Sequence, residues 1–156
     1  MSIEIERKFL VKNNSFKALS SDSSYLKQGY ICLDKERTVR VRIKGSKGYL
    51  TIKGMSNDSG LSRFEWEKEI SLEEANQLFK LVLPGVIEKT RYNVPIEGYI
   101  WEIDVFEGGN SGLILAEIEL ETELSSFVIP SFIGEEVTGD KRYYNAYLSQ
   151  SPYDSW

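Results

Sequence analysis

The chain has 156 residues, 41% hydrophobic and 28% charged, with 24 Asp and Glu against 19 Lys and Arg for a formal net charge of −5. That length and apolar content suit a single packed domain over residues 1–156 and exclude a disordered chain. Histidine is absent, which removes Ser-His-Asp triads, Cys-His pairs, His-ligated zinc and imidazole acid–base catalysis. Cys32 stands alone, so neither an internal disulfide nor a thiolate cluster can form, and a packed small apolar side chain is expected there. A metal held by this chain must take oxygen ligands, which selects Mg²⁺, Mn²⁺ or Ca²⁺. No apolar run approaches the ~20 residues of a membrane span. The Met1–Glu6 start lacks the basic and apolar stretches of a secretory signal, so a cytoplasmic location is expected. Net acidity argues against a nucleic-acid partner, although local basic clusters remain able to hold a phosphorylated ligand.

In chain order, period-two alternation predicts strands over Ile3–Val11, Leu26–Cys32, Thr38–Lys44, Tyr49–Gly54, Phe64–Ile70, Ile87–Val94, Tyr99–Glu107 and Leu113–Glu121. Gly45-Ser46-Lys47-Gly48 and Glu97-Gly98 read as hairpin loops, and Met55–Ser62 as a polar loop. Ser71-Leu72-Glu73-Glu74 is a capping box that opens a helix with Ala75, Leu78, Phe79, Leu81 and Val82 on one face, stopped by Pro84-Gly85. A second helix is expected from about Asp140 to Ser149, and a short one, interrupted by Pro130, over Phe127–Gly134.

Side chains alternate across a sheet, and here one face of nearly every strand is ionisable. Glu4, Glu6 and Lys8 oppose Ile3, Ile5 and Phe9; Arg40, Arg42 and Lys44 oppose Val39, Val41 and Ile43. Lys53 lies with Thr51, Glu65 with Glu67 and Glu69, Lys89 with Arg91, Glu102 with Asp104, and Glu117 with Glu119 and Glu121. An open sheet with one wet face explains any single strand. It does not explain a polar face with so few Ser, Thr, Asn or Gln, on which the signs segregate by strand.

About eight antiparallel strands suffice to close a barrel. With the charged face inward, the lumen would be wet, since desolvating so many ions costs several kcal/mol each. Basic walls bind phosphate oxygens through charge-assisted hydrogen bonds. Two carboxylates at ~4 Å repel by about 4 kcal/mol at an effective dielectric of ~20, a penalty that a divalent cation removes. These residue types point to a metal–polyphosphate site. Neither glycine-rich phosphate loop is present, so side chains must do the holding.

The ordered motifs resemble those of the CYTH superfamily, the triphosphate tunnel metalloenzymes. They begin with Glu4-Ile5-Glu6-Arg7-Lys8-Phe9, a Glu-x-Glu-x-Lys signature, and Gln28-Gly29-Tyr30. They continue with Val39-Arg40-Val41-Arg42, Leu50-Thr51-Ile52-Lys53-Gly54, Arg63 with Glu65 and Glu67, Glu88-Lys89-Thr90-Arg91-Tyr92 and Trp101–Phe106. Leu115-Ala116-Glu117-Ile118-Glu119-Leu120 and Glu136–Tyr143 close the series. The resemblance implies a mainly β, α+β fold: a closed eight-stranded antiparallel tunnel with a few flanking helices and a C-terminal plug helix. It implies hydrolysis or rearrangement of a small-molecule triphosphate with Mg²⁺ or Mn²⁺, and inorganic tripolyphosphate is the leading substrate. No nucleic-acid or membrane partner is expected, and no motif decides between a monomer and a homodimer.

Carried across by motif, Glu4, Glu6, Glu117 and Glu119 hold metal, and Glu67 and Asp104 serve metal or water. Lys8, Arg40, Arg42, Lys53, Lys89 and Arg91 grip the triphosphate, and Arg142 contacts phosphate at the tunnel mouth. The catalytic set is Glu4, Glu6, Lys8, Glu67, Asp104 and Glu119. Tyr30 matches a family position and equally suits a barrel aromatic, while Lys44, Glu69 and Glu121 fall near the rims. A class IV-type adenylate cyclase, a thiamine triphosphatase and a non-catalytic polyphosphate-binding module are the alternatives on the same scaffold.

Overall fold

The eight alternating segments form antiparallel strands, and a ninth strand joins them, in a computed structural model that describes residues 2–34 and 36–156. They are β1 (Ser2–Val11), β2 (Asp22–Asp34), β3 (Arg37–Lys44), β4 (Lys47–Gly54), β5 (Ser62–Ser71), β6 (Ile87–Ile96), β7 (Tyr99–Phe106), β8 (Ile114–Glu119) and β9 (Ile133–Glu136). The order β5-β4-β3-β2-β6-β7-β8-β1 closes on itself where Ser2 to Ile5 pair with Glu65 to Ser62, giving the expected eight-stranded barrel. Beyond the closure, the same edge of β1 takes β9 as a short ninth strand, with Phe9 opposite Glu136 and Val11 opposite Ile133.

Local chemistry sets the connections. Glu97 and Gly98 both have positive φ, the two-residue turn that lets β6 run straight back as β7. The Ser71 capping box forms and starts α2 (Leu72–Leu78), which tightens into a single 3₁₀ turn over Phe79–Leu81 and becomes extended at Val82. A one-turn helix, α1 (Phe16–Leu19), was not legible in the sequence; it buries Phe16.

Two expected helices are corrected. Phe127–Gly134 is not helical, because Pro130 lacks an amide donor and the free edge of β1 supplies better partners. Lys12 N donates to Phe132 O at 2.7 Å and Val137 N to Lys8 O at 2.8 Å, drawing Ile133 into β9. The C-terminal helix is split: a 3₁₀ turn over Lys141–Tyr143, extended backbone at Tyr144, then α3 (Asn145–Gln150).

The apolar core lies largely outside the barrel wall. Phe9, Val94, Trp101, Ile103, Ala116 and Ile118 point outward from β1 and β6–β8 and are covered by Phe16, Phe132 and Ile133. Edge-to-face ring pairs fix this cover, with Phe9–Trp101 at 5.4 Å and Phe16–Tyr92 at 5.5 Å between centroids. Elsewhere α2 packs against β3 and β4, whereas Ile3, Ile52 and Phe64 remain exposed on the outer face.

Inside, the charged rows end on an apolar floor. The inner-face series through Lys8, Lys89, Asp104 and Glu117 continues to Leu10, Ile87, Phe106 and Leu115, which meet Leu148 of α3. This floor is the plug. Gly85, at φ 101°, lies directly beneath Ser149, where an added Cβ would overlap the carbonyl oxygen, and Gln150 Nε2 donates to Pro84 O at 3.1 Å. Gly85→Ala should therefore cost at least ~1 kcal/mol, since both conformation and space are wrong for a side chain. Urea denaturation measures that loss, and faster amide exchange in α3 would locate it.

Candidate functional site

Alternation along seven of the eight wall strands delivers ionisable groups to one cavity of about 210 Å³. β1 contributes Glu4, Glu6 and Lys8; β3 Arg40 and Arg42; β4 Lys53; and β5 Arg63, Glu65 and Glu67. β6 adds Arg91, β7 Glu102, and β8 Glu117 and Glu119, while Tyr144, Asn145 and Ala146 close the plug side.

Most of the cations are already matched. Lys53 Nζ lies 2.8 and 3.1 Å from the two Glu4 oxygens and 3.5 Å from Glu65. Lys8 Nζ is 3.5 Å from Glu117, donates to Tyr143 O at 3.1 Å and sits 4.9 Å from the Tyr144 ring centroid. Arg40 donates to the Thr51 hydroxyl at 3.2 Å, which in turn donates to Glu67 at 2.8 Å. Arg91 grips Asp104 with two bonds of 2.7 and 2.9 Å and Glu102 with a third of 3.0 Å.

Among the described residues, two cavity arginines have no carboxylate within 4.0 Å. Arg42 bonds only to a neutral oxygen, Gln28 Oε1 at 3.3 Å, and the Arg63 Nε–H is buried without a partner, as is the Arg40 Nε–H. Burial, with the charges of Arg40 and Arg91 beside it, brings the Arg42 guanidinium down to about 9. The cavity is thus prepared for an anion, which would use these open donors and restore the charge balance.

The carboxylates deal with their crowding by holding protons. Burial and the charges of Glu117 and Glu4 raise Glu6 well above the usual range. Burial alone would raise Glu117 too, but Lys8 and a hydrogen bond from Glu6 hold it low. Glu65, pushed up to about 7 by burial and by Glu4, likewise donates to Glu4. Burial and the Glu4 charge also raise Glu119, which has no cation within 4.0 Å among the described residues. Across those residues no three carboxylates stand close enough together to form a ready-made cation cage.

The structure brings together Glu4, Glu6, Lys8, Arg40, Arg42, Lys53, Glu67, Arg91, Glu117 and Glu119 as the sequence pattern anticipates. Three expected residues lie elsewhere. Lys89 and Asp104 are buried behind the cavity lining, 2.6 Å apart, at the level of the apolar floor. There Lys89 also donates to Asn145 Oδ1 at 3.1 Å. Arg142 faces outward: Asp140 captures its guanidinium at 2.7 and 3.1 Å, and it stacks over Tyr143 and Trp156. Glu69 and Glu121 are exposed, and Cys32 is a half-buried free thiol. Arg63, Glu65 and Glu102, given no site role from the sequence, also line the cavity, each sharing its strand's parity with a residue that was.

A second, more apolar cavity of about 580 Å³ adjoins the first at the plug side. It shares Thr38, Arg63, Tyr144 and Ala146 with the first and is lined further by Leu33, Met55 and Tyr147. No helix among the described residues is long and apolar enough to cross a membrane.

The model of the CYTH domain family matches residues 2–144. A protein of Acetivibrio thermocellus named inorganic triphosphatase is 48% identical over 157 residues, covering 100% of this chain and 99% of that one. A protein of Nitrosomonas europaea with the same name is 38% identical over 152 residues, covering 95% and 97%. A solved structure described as an inorganic triphosphatase superposes with a TM-score of 0.66 at 35% identity, covering 95% of this chain and 98% of that one.

Two outcomes follow from the charge pairing. Asp104→Ala strands the buried Lys89 and leaves Arg91 only Glu102, and should cost ~3–5 kcal/mol in urea denaturation. In metal-free protein the proton on Glu65 favours the folded state below its ordinary value of 4.5, an advantage lost as pH rises through about 7. Glu65→Gln removes that dependence, so its melting temperature should gain on the wild type as pH rises across this interval.

Proposed function

Because the chain belongs to the CYTH domain family, we propose that it is a metal-dependent triphosphatase whose first substrate is inorganic tripolyphosphate. The observation that carries the reading is the coexistence, in one cavity, of arginine donors without partners and carboxylates crowded enough to retain protons. The first feature needs an anion and the second is relieved by a cation; a triphosphate with its divalent ion supplies both. Glu4, Glu6, Glu117 and Glu119 are the proposed metal holders, an all-oxygen set that suits Mg²⁺ or Mn²⁺ in kind. A bound ion would neutralise the wall carboxylates and draw electron density from the phosphoryl oxygens.

The remaining work falls to this chain's own side chains. Lys8, Arg40, Arg42, Lys53 and Arg91 hold the phosphate oxygens and offset the charge that builds on the transferred group. Lys89 supports them indirectly by fixing Asp104, which orients Arg91. Water attacks the terminal phosphorus in line, the bridging P–O bond breaks, and pyrophosphate departs as orthophosphate forms. The water proton passes to a wall carboxylate. Arg142 is held by Asp140 outside the cavity and would contact phosphate at the tunnel mouth only after leaving that partner.

A second reading is favoured by the apolar cavity beside Tyr144 and Tyr147. It offers room for the organic end of a nucleoside or thiamine triphosphate, and with a ribose hydroxyl as nucleophile the same site would act as a cyclase. A non-catalytic polyphosphate module is disfavoured, since clustered glutamates gain nothing from binding an anion alone. The substrate is a small molecule rather than nucleic acid or membrane, and the active form is a monomer or homodimer. A cytoplasmic location belongs to the same proposal, supported by a chain that relies on no internal disulfide.

Incubation with tripolyphosphate, ATP or thiamine triphosphate and Mg²⁺ or Mn²⁺ should release orthophosphate, fastest from tripolyphosphate. Cyclic AMP with pyrophosphate would instead establish the cyclase. Glu6→Gln and Glu119→Gln should each lower turnover by about 10²-fold. Glu6→Gln should leave the melting temperature unchanged, because an amide can still donate to Glu117. Near-normal turnover in both variants at limiting metal removes the metal-site assignment.

A further inference from the structure

We propose that Gln28 is a positioning residue for anion capture: its neutral carboxamide oxygen fixes Arg42 while leaving the guanidinium charge uncommitted. The inference rests on the triphosphate reading above and deepens it.

Gln28 lies on β2 opposite Arg42 of β3 on one side and Ile87 of β6 on the other, where the charged bore meets its apolar floor. It is fully buried. Its Oε1 accepts from Arg42 Nε at 3.3 Å, and its Nε2 has no partner among the described residues. A buried amide left half-satisfied is unfavourable compared with an apolar side chain of the same size. Packing therefore does not explain the residue, whereas orientation of Arg42 does.

The contrast with the neighbouring cations supports this. Lys53, Lys8 and Arg91 each have a carboxylate within 3.5 Å, and Arg40 reaches Glu67 through Thr51. An incoming phosphate must compete with those carboxylates. Arg42 presents no such competition, because its anchor carries no charge. Occupying Nε also leaves both terminal amino groups of the planar fork free, the pair that meets two phosphate oxygens at once. Glutamate at this position would make a stronger bond to Arg42 and spend its charge.

The test compares Gln28→Glu, which keeps the acceptor but adds the charge, with Gln28→Met, which keeps the size and loses the acceptor. For tripolyphosphate hydrolysis, Gln28→Glu should raise KM about tenfold or more with kcat within about threefold, and Gln28→Met should raise KM about threefold. Calorimetric titration of tripolyphosphate into metal-free protein should show the same weakening, a readout independent of turnover. In an Arg42→Lys background, Gln28→Glu should add almost nothing, since the group it acts through is gone. Wild-type KM and tripolyphosphate affinity in both variants, whatever their melting temperatures, would overturn the proposal, as would an undiminished effect in the Arg42→Lys background. Should the wild type bind tripolyphosphate without hydrolysing it, the hydrolase reading fails while the calorimetric comparison still decides the role of Gln28.

Discussion

A charge taken out of water inside a closed sheet must find a counter-charge or shed its own. Transfer of an isolated carboxylate or ammonium into such a space costs several kcal/mol even after relaxation, and this barrel encloses more than a dozen ionisable groups. The structure meets the constraint in three ways. Opposite charges pair across strands, as Lys53 does with Glu4 and Lys8 with Glu117. Adjacent carboxyls share a proton, as Glu6 does with Glu117. The ions at the floor, Lys89 and Asp104, pair with each other, and Arg91 bridges Asp104 to Glu102. What remains unmatched, chiefly at Arg42 and Arg63, is what a ligand can use.

The same constraint turns the packing inside out. With the lumen committed to ions, the apolar side chains must be buried on the convex face, and a bare barrel would leave Trp101, Ile103 and Phe9 in water. The segment from Phe127 to Val137 and the single turn at Phe16 exist as cover for that wall. Only at the α3 end does the interior become apolar, and there Leu148 seals it. Site and core are thus separate volumes divided by one layer of backbone, so chemistry in the bore can change without repacking the core.

Much of this was legible in the sequence because a strand has a period of two. Parity alone gathered Glu4, Glu6, Arg40, Arg42, Lys53, Glu117 and Glu119 on one face, and the same rule extends to Arg63, Glu65 and Glu102. Parity says nothing about depth. Lys89 and Arg91 read alike along the chain, yet Lys89 lies at the floor with Asp104 and Arg91 at the cavity, because tilted strands bring different residues to the same level. Arg142 faces outward for a shorter-range reason: Asp140, two residues away, offers its guanidinium a partner. The stretch around Pro130 showed apolar residues with no clear period. Its outcome depended on the free edge of β1, a feature of the assembled barrel that no local pattern encodes.

The division of inner and outer faces also bears on how such a chain can vary over evolutionary time. Deleting or inserting one residue within a wall strand would exchange the two faces, pushing glutamates against Trp101 and phenylalanines into the bore. In a closed sheet each wall strand is paired on both sides, so both neighbouring strands would inherit that error. Changes in length are consequently admitted at the hairpin tips and between β8 and β9, or in steps of two within a strand. The wall is a frame that lineages can decorate at its ends but not re-register.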